Sequence, residues 1–238
     1  MNPFELSQQM TDALQLDSPP VSLAFVDEAP SDVPQSAWTV PSACAFWKRA
    51  EQGLFFAPAA AHENCPVGML AMGFPMDESV LSALNDFISG MIDVSYLSNG
   101  EPDLVPGIAT ARKGILYGPL SQFAEWPDFT LVWVNARQAM LLEEALGAVF
   151  WNAPDKAQVF GRPACGALAV AANENRSTLS LGCSGMRTFT KIGDEKLLVW
   201  IPGSELRTLS KKLESTMRSN AQMLDFYRQH QERVGNAV

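Results

Sequence analysis

Positive charge is scarce in this chain, and histidine and cysteine are scarcer still. Seventeen Lys and Arg face 26 Asp and Glu, giving a formal net charge of −9 and a pI of about 4.7. Such a surface repels phosphate backbones and anionic membranes, so neither nucleic acid nor membrane is an expected partner. The richest basic stretch, Arg207, Lys211, Lys212 and Arg218, is interrupted by Glu214 and reads as the solvated face of a helix. With two histidines in all, a Ser-His-Asp or Cys-His catalytic arrangement is poorly supplied. His62, three residues before Cys65, could serve as a base, although beside Glu63 it reads as a polar loop residue; His230 falls on the polar C-terminal helix. Gly-x-Gly-x-x-Gly and the phosphate-binding Gly-x-x-x-x-Gly-Lys-Ser/Thr are both missing, which disfavours the common nucleotide sites. No apolar run reaches the roughly 20 residues of a membrane span. The opening Met-Asn-Pro-Phe-Glu-Leu lacks the basic and apolar regions of a signal peptide, so the expected location is cytoplasmic.

The chain does have ample material for a core: 238 residues, 47% hydrophobic and 18% charged. That length suits one compact domain over 1–238, with an internal duplication into halves of about 15–110 and 111–230. Asn2 and Pro3 open a helix to about Leu14, and Pro20–Phe25 alternates as a strand does. Ala43–Gln52 is helix-compatible, Leu54–Phe56 is a short strand and Pro66–Met72 a short helix. From Asp77 the apolar positions Val80, Leu81, Leu84, Phe87, Ile88, Met91 and Ile92 keep helical spacing. Strands follow at Ile115–Tyr117 and Phe129–Val134, then a helix over Arg137–Val149. The second half offers a helix over Pro163–Ala172, a strand at Thr178–Leu181, a turn of helix after Ser184, a strand at Lys196–Ile201 and a long helix from Ser204. Intermixed strands and helices predict an α/β or α+β fold, each half carrying a Cys-helix-strand-Cys-helix unit.

That unit concerns the four cysteines. Pro41-Ser-Ala-Cys44 leads through a helix and a strand to Cys65; Arg162-Pro-Ala-Cys165 leads through a helix and a strand to Cys183. Each second cysteine is followed by a glycine (Gly68, Gly185), a proline (Pro75, Pro202) and a long helix. Structural disulfides are rare in a reducing compartment, so four cysteines there call for another explanation. Each stands near a helix start, where backbone N–H groups and the helix dipole favour thiolate. Cys44, Cys65, Cys165 and Cys183 are therefore expected to be metal ligands. Four soft thiolates without a close Cys-x-x-Cys pair favour an iron–sulfur cluster, 4Fe–4S before a two-iron form, with zinc less expected. Arg162 and Arg187, each within four residues of a cysteine, are candidates for binding the cofactor by charge compensation or for capturing an anion. Lys48 and Arg49 read as surface residues. Trp47, Trp133, Trp151 and Trp200 read as core.

Pro19-Pro-Val-Ser-Leu-Ala-Phe25, the Cys/Gly pairs in both halves, and above all Gly161-Arg-Pro-Ala-Cys165 through Leu179-Ser-Leu-Gly-Cys-Ser-Gly-Met-Arg187 resemble the domain of unknown function 169 family, over about residues 5–230. The resemblance implies a compact prokaryotic cytosolic protein and supplies little function.

The leading expectation is a cluster-binding protein with a redox or cofactor-handling role, served by a redox partner or a small-molecule ligand. The alternatives are a protein binding a small molecule or tetrapyrrole without a cluster, and a thiol-dependent enzyme with one nucleophilic cysteine. Whether the chain is an enzyme stays open. The long C-terminal helix suggests a homo-oligomer.

Overall fold

The computed structural model describes residues 1–36, 39–109, 112–147 and 159–235. Helices begin where side chains can satisfy the first free N–H groups. Asn2 and Glu5 exchange side-chain and backbone hydrogen bonds to open α1 (Pro3–Leu14), and Asn135 and Gln138 do the same for α5 (Ala136–Leu146). Asp77 accepts the Val80 N–H to start α4 (Glu78–Asp93). The other helices are α2 (Cys44–Arg49), α3 (Pro66–Ala71), α6 (Ala164–Glu174), α7 (Ser184–Thr190) and α8 (Gly203–Val234).

Among the described residues, seven strands, β1 (Val21–Val26), β2 (Phe55–Pro58), β3 (Gly114–Pro119), β4 (Phe129–Val134), β5 (Val159–Phe160), β6 (Thr178–Ser180) and β7 (Leu197–Pro202), form one sheet in the order β2-β3-β1-β4-β7-β6-β5. All neighbours are antiparallel except β5 and β6, which run parallel. The fold is mixed α/β, as the sequence predicts. Outward from β1 lie β3 and β2, and outward from β4 lie β7, β6 and β5.

Alternation along the strands gives the sheet two apolar faces. Phe129, Leu131 and Trp133 of β4 join one core with Leu23, Tyr117 and Trp200, covered by Phe46 and Trp47 of α2, Met69 of α3, Leu168 of α6 and Met186 of α7. Val132 and Val134 join the other core with Val199 and Ile201, covered by Leu6 and Met10 of α1, Leu142 of α5, and Leu206, Leu209 and Leu213 of α8. Each fully buried large side chain stabilises the fold by about 1.5–3 kcal/mol. Trp47, Trp133 and Trp200 are core residues as expected, with Trp47 edge-on to Trp200 at 5.0 Å between centroids. Trp151 and the residues after Gly147 of the expected fifth helix lie outside the described residues.

The helix expected from Asp77 forms as α4, with Val80 and Leu84 buried and Leu81 and Phe87 exposed. One expectation needs correction. His62 is no loop-surface residue but is fully buried in a 3-10 turn over Ala59–His62.

Candidate functional site

The four cysteine-bearing helix starts lie on one face of the sheet. Cys44 is the first residue of α2, Cys65 directly precedes α3, Cys165 is the second residue of α6, and Cys183 directly precedes α7. Cys44 and Cys165 are part of the core there, and Cys65 and Cys183 pack against it from half-exposed positions. All four are free thiols.

Short-range packing draws them together. The Ser42 hydroxyl lies 2.9 Å from Sγ of Cys44 and 3.7 Å from Sγ of Cys65, so one oxygen joins two sulfurs. The Cys165 thiol points to the Val67 carbonyl of α3 at 3.9 Å. The Cys183 sulfur accepts the Met186 N–H at 3.4 Å and so caps α7. Gly68 makes the close approach at α3 feasible: a Cβ there would stand 2.7 Å from the Ala43 Cβ and 2.9 Å from the Cys65 sulfur. Only hydrogen fits without something shifting.

The electrostatics report the same convergence. Burial pushes the Cys44 thiol up to about 12; the Ser42 hydrogen bond opposes this, and charge on Cys65 or Cys183 adds to it. Burial pushes Cys165 well above its ordinary value, and Cys65, Cys183 and Cys44 each push in the same direction. The buried pair therefore stays protonated at neutral pH.

The two arginines are engaged elsewhere. Arg187 donates to the Leu181, Gly193 and Lys196 carbonyls at 2.8, 3.0 and 3.0 Å, clamping the loop between α7 and β7. Arg162 pairs with Glu101 at 3.5 Å and lies over the Tyr96 ring. Lys48 pairs with Glu51. His62 is bonded through Nδ1 to the Pro58 carbonyl and through Nε2 to the Tyr117 hydroxyl, each at 3.0 Å, so both of its ring nitrogens are occupied.

The profile of the family described as "Uncharacterised ArCR, COG2043" matches residues 9–212. The chain belongs to the domain of unknown function 169 family. No curated protein and no solved structure matches it. Membership of this family thus agrees with the resemblance carried by the motifs around Cys165 and Cys183, and brings no assigned activity with it.

The iron–sulfur reading is corrected by the geometry. Among the described residues, no three His, Cys, Asp or Glu side chains are arranged to hold a metal ion. The physical reason lies in the sulfurs' surroundings. Cys44 and Cys65 meet at the Ser42 hydroxyl, whereas the Cys165 sulfur faces the Val67 carbonyl and the Cys183 sulfur the Met186 N–H. Among the described residues, no helix is long and apolar enough to cross a membrane.

Two residues of the site escape a sequence reading. Ser42 looks like a helix cap, yet Ala43 takes the cap position with no side-chain bond, leaving the hydroxyl for the sulfurs. Gly68 looks like an element of the repeat, and its role is to make room for a sulfur.

Proposed function

We propose that the four-cysteine cluster is a thiol redox site that reacts with small disulfides. One observation supports this reading: two half-exposed and two buried free thiols lie on the same face of the sheet, with the Ser42 hydroxyl between the sulfurs of Cys44 and Cys65. In the exchange, a cysteine thiolate attacks one sulfur of the external disulfide, forming a mixed disulfide and releasing one thiol. A second cysteine attacks the mixed disulfide, closing an internal disulfide and releasing the second thiol. Two cysteines are thereby oxidised and one disulfide is reduced to two thiols. Whether the chain turns over or acts as a sensor depends on a reductant that reopens the bond.

Thiol titration of anaerobically purified protein, before and after exposure to oxidised glutathione, tests the reading. The expected result is loss of two thiols per chain with release of two equivalents of glutathione. An unchanged thiol count overturns it, and so do stoichiometric iron and sulfide in the protein as purified.

We also propose self-association through the far half of α8. The support is a run of exposed apolar side chains, Met223, Leu224, Phe226 and Tyr227, on a helix whose near half is anchored by buried Leu206, Leu209 and Leu213. Light scattering should give a dimer mass that Leu224→Lys with Tyr227→Lys reduces to a monomer. A monomeric wild-type chain sinks this reading.

A further inference from the structure

We propose, resting on the thiol-exchange reading, that Cys65 is the attacking thiol and Cys44 its resolving partner, joined by the hydroxyl of Ser42. The four cysteines are not equivalent, and their surroundings sort them.

Access comes first. Cys65 and Cys183 are half-exposed, whereas Cys44 and Cys165 are buried, 6% and 9% exposed. An external disulfide must present a sulfur in line with the attacking sulfur, so only the first pair can begin the reaction.

Between these two, the Cys183 sulfur is the cap of α7 and accepts the Met186 N–H. A bond to an external sulfur there would compete with that contact and free the N–H. The Cys65 sulfur meets the Ser42 hydroxyl instead, a group that rotates freely and can turn to Cys44. Cys65 is also held on a fixed frame. Its N–H donates to the His62 carbonyl at 2.8 Å and its carbonyl accepts the Met69 N–H at 2.9 Å. His62 in turn is locked by Tyr117 and Pro58 and packed against Phe46 and Phe74.

The resolving thiol follows from the same hydroxyl. Ser42 bonds Cys44 at 2.9 Å and reaches Cys65 at 3.7 Å, so these two sulfurs share one small atom between them. Cys165 faces the Val67 carbonyl on α3 instead.

The chemistry balances. The Cys65 sulfur attacks the external disulfide, whose S–S bond breaks; the first leaving thiolate takes up the Cys65 proton. The Cys44 sulfur then attacks Sγ of Cys65 as its proton passes to the Ser42 hydroxyl, and the bond between Cys65 and the external sulfur breaks. The second leaving thiolate takes up a proton relayed from that hydroxyl. The products are a Cys44–Cys65 disulfide and two small thiols.

The test uses the whole protein and oxidised glutathione, followed by acid quench, alkylation and peptide mass spectrometry. In the wild type the disulfide should link Cys44 to Cys65. Cys44→Ser should stall as a glutathione adduct on Cys65, and Cys65→Ser should slow thiol loss by about tenfold or more. Ser42→Ala should accumulate the mixed disulfide without slowing its formation. Because the wild-type mapping needs no variant, a misfolded variant cannot mask the answer. A disulfide joining any other pair overturns this assignment and leaves the thiol-exchange reading standing. If no thiols are consumed, both fall.

Discussion

Nε2 of His62 lies 3.0 Å from the hydroxyl of Tyr117, with both side chains fully buried. Nδ1 faces the Pro58 carbonyl, which can only accept, so Nδ1 carries the ring proton and Nε2 accepts from the tyrosine. The imidazole is neutral: burial lowers its pKa to about 4, against smaller opposing effects from the Pro58 and Ala59 backbone.

The pair makes the protein acid-sensitive. In the unfolded chain His62 takes a proton near its ordinary value of 6.5, in the folded chain near 4. The unfolded state therefore binds more protons between these values, and stability is lost as pH falls through that window. The expected loss is about 2–3 kcal/mol. Denaturant melts of wild type and His62→Gln at pH 7 and pH 4.5 measure it as the difference between the two slopes. An equal slope in the variant would show that another group carries it.

Glu143 on α5 should push the other way. Burial and the Glu205 carboxylate raise it to about 7, while Arg176 pulls it down. Its folded value lies above its ordinary 4.5, so its contribution is full below pH 4.5 and lost as pH rises through 7. Partial exposure screens the effect to about 1–2 kcal/mol. Glu143→Gln should therefore be more stable than wild type at pH 8, with the difference vanishing near pH 4.5. Between pH 4.5 and 6.5 the His62 and Glu143 contributions oppose each other, so the wild-type profile there should be shallower than either variant's partner group alone predicts.

Gly68→Ala tests the packing around the sulfurs. The new methyl would overlap the Ala43 methyl and the Cys65 sulfur, on a helix with no freedom to slide because Cys65 and His62 fix its start. A cost of about 1–3 kcal/mol in thermal or denaturant unfolding is expected. A neutral Gly68→Ala would mean that α2 and α3 can separate without loss.

Much of the fold is legible in local sequence because local chemistry decides it. Asn2 and Asp77 mark helix starts, and the runs Val21–Val26 and Phe129–Val134 are strands within a residue or so of expectation. The gathering of the cysteines is legible for a subtler reason. The helices α2, α3, α6 and α7, whose starts the sequence marks with the cysteines, all cover one face of the sheet. What is illegible depends on distant partners. His62 is buried because Tyr117, far along the chain, supplies a hydroxyl, and Ser42 bridges sulfurs because α3 brings Cys65 to it. The two-residue strand β5 is too short to carry a pattern of its own. The metal-ligand expectation failed at the same level, since residue type and spacing do not show which way a sulfur points.

The thiols themselves should label in an order set by access and protonation. At pH 8, iodoacetamide should modify Cys65 and Cys183 in the native chain and spare Cys44 and Cys165, while in denaturant all four should react alike. Cys65 should lead Cys183, whose sulfur must give up the Met186 N–H to react. With Cys44 held near 12, its thiolate fraction rises about tenfold per pH unit below that value. Its labelling should climb correspondingly between pH 8 and pH 9.5, provided circular dichroism shows the fold intact. Peptide mass spectrometry over time gives each rate. Equal native labelling at all four positions would mean that the α2–α3 face opens faster than the reagent reacts, and burial would then not be what separates the two pairs.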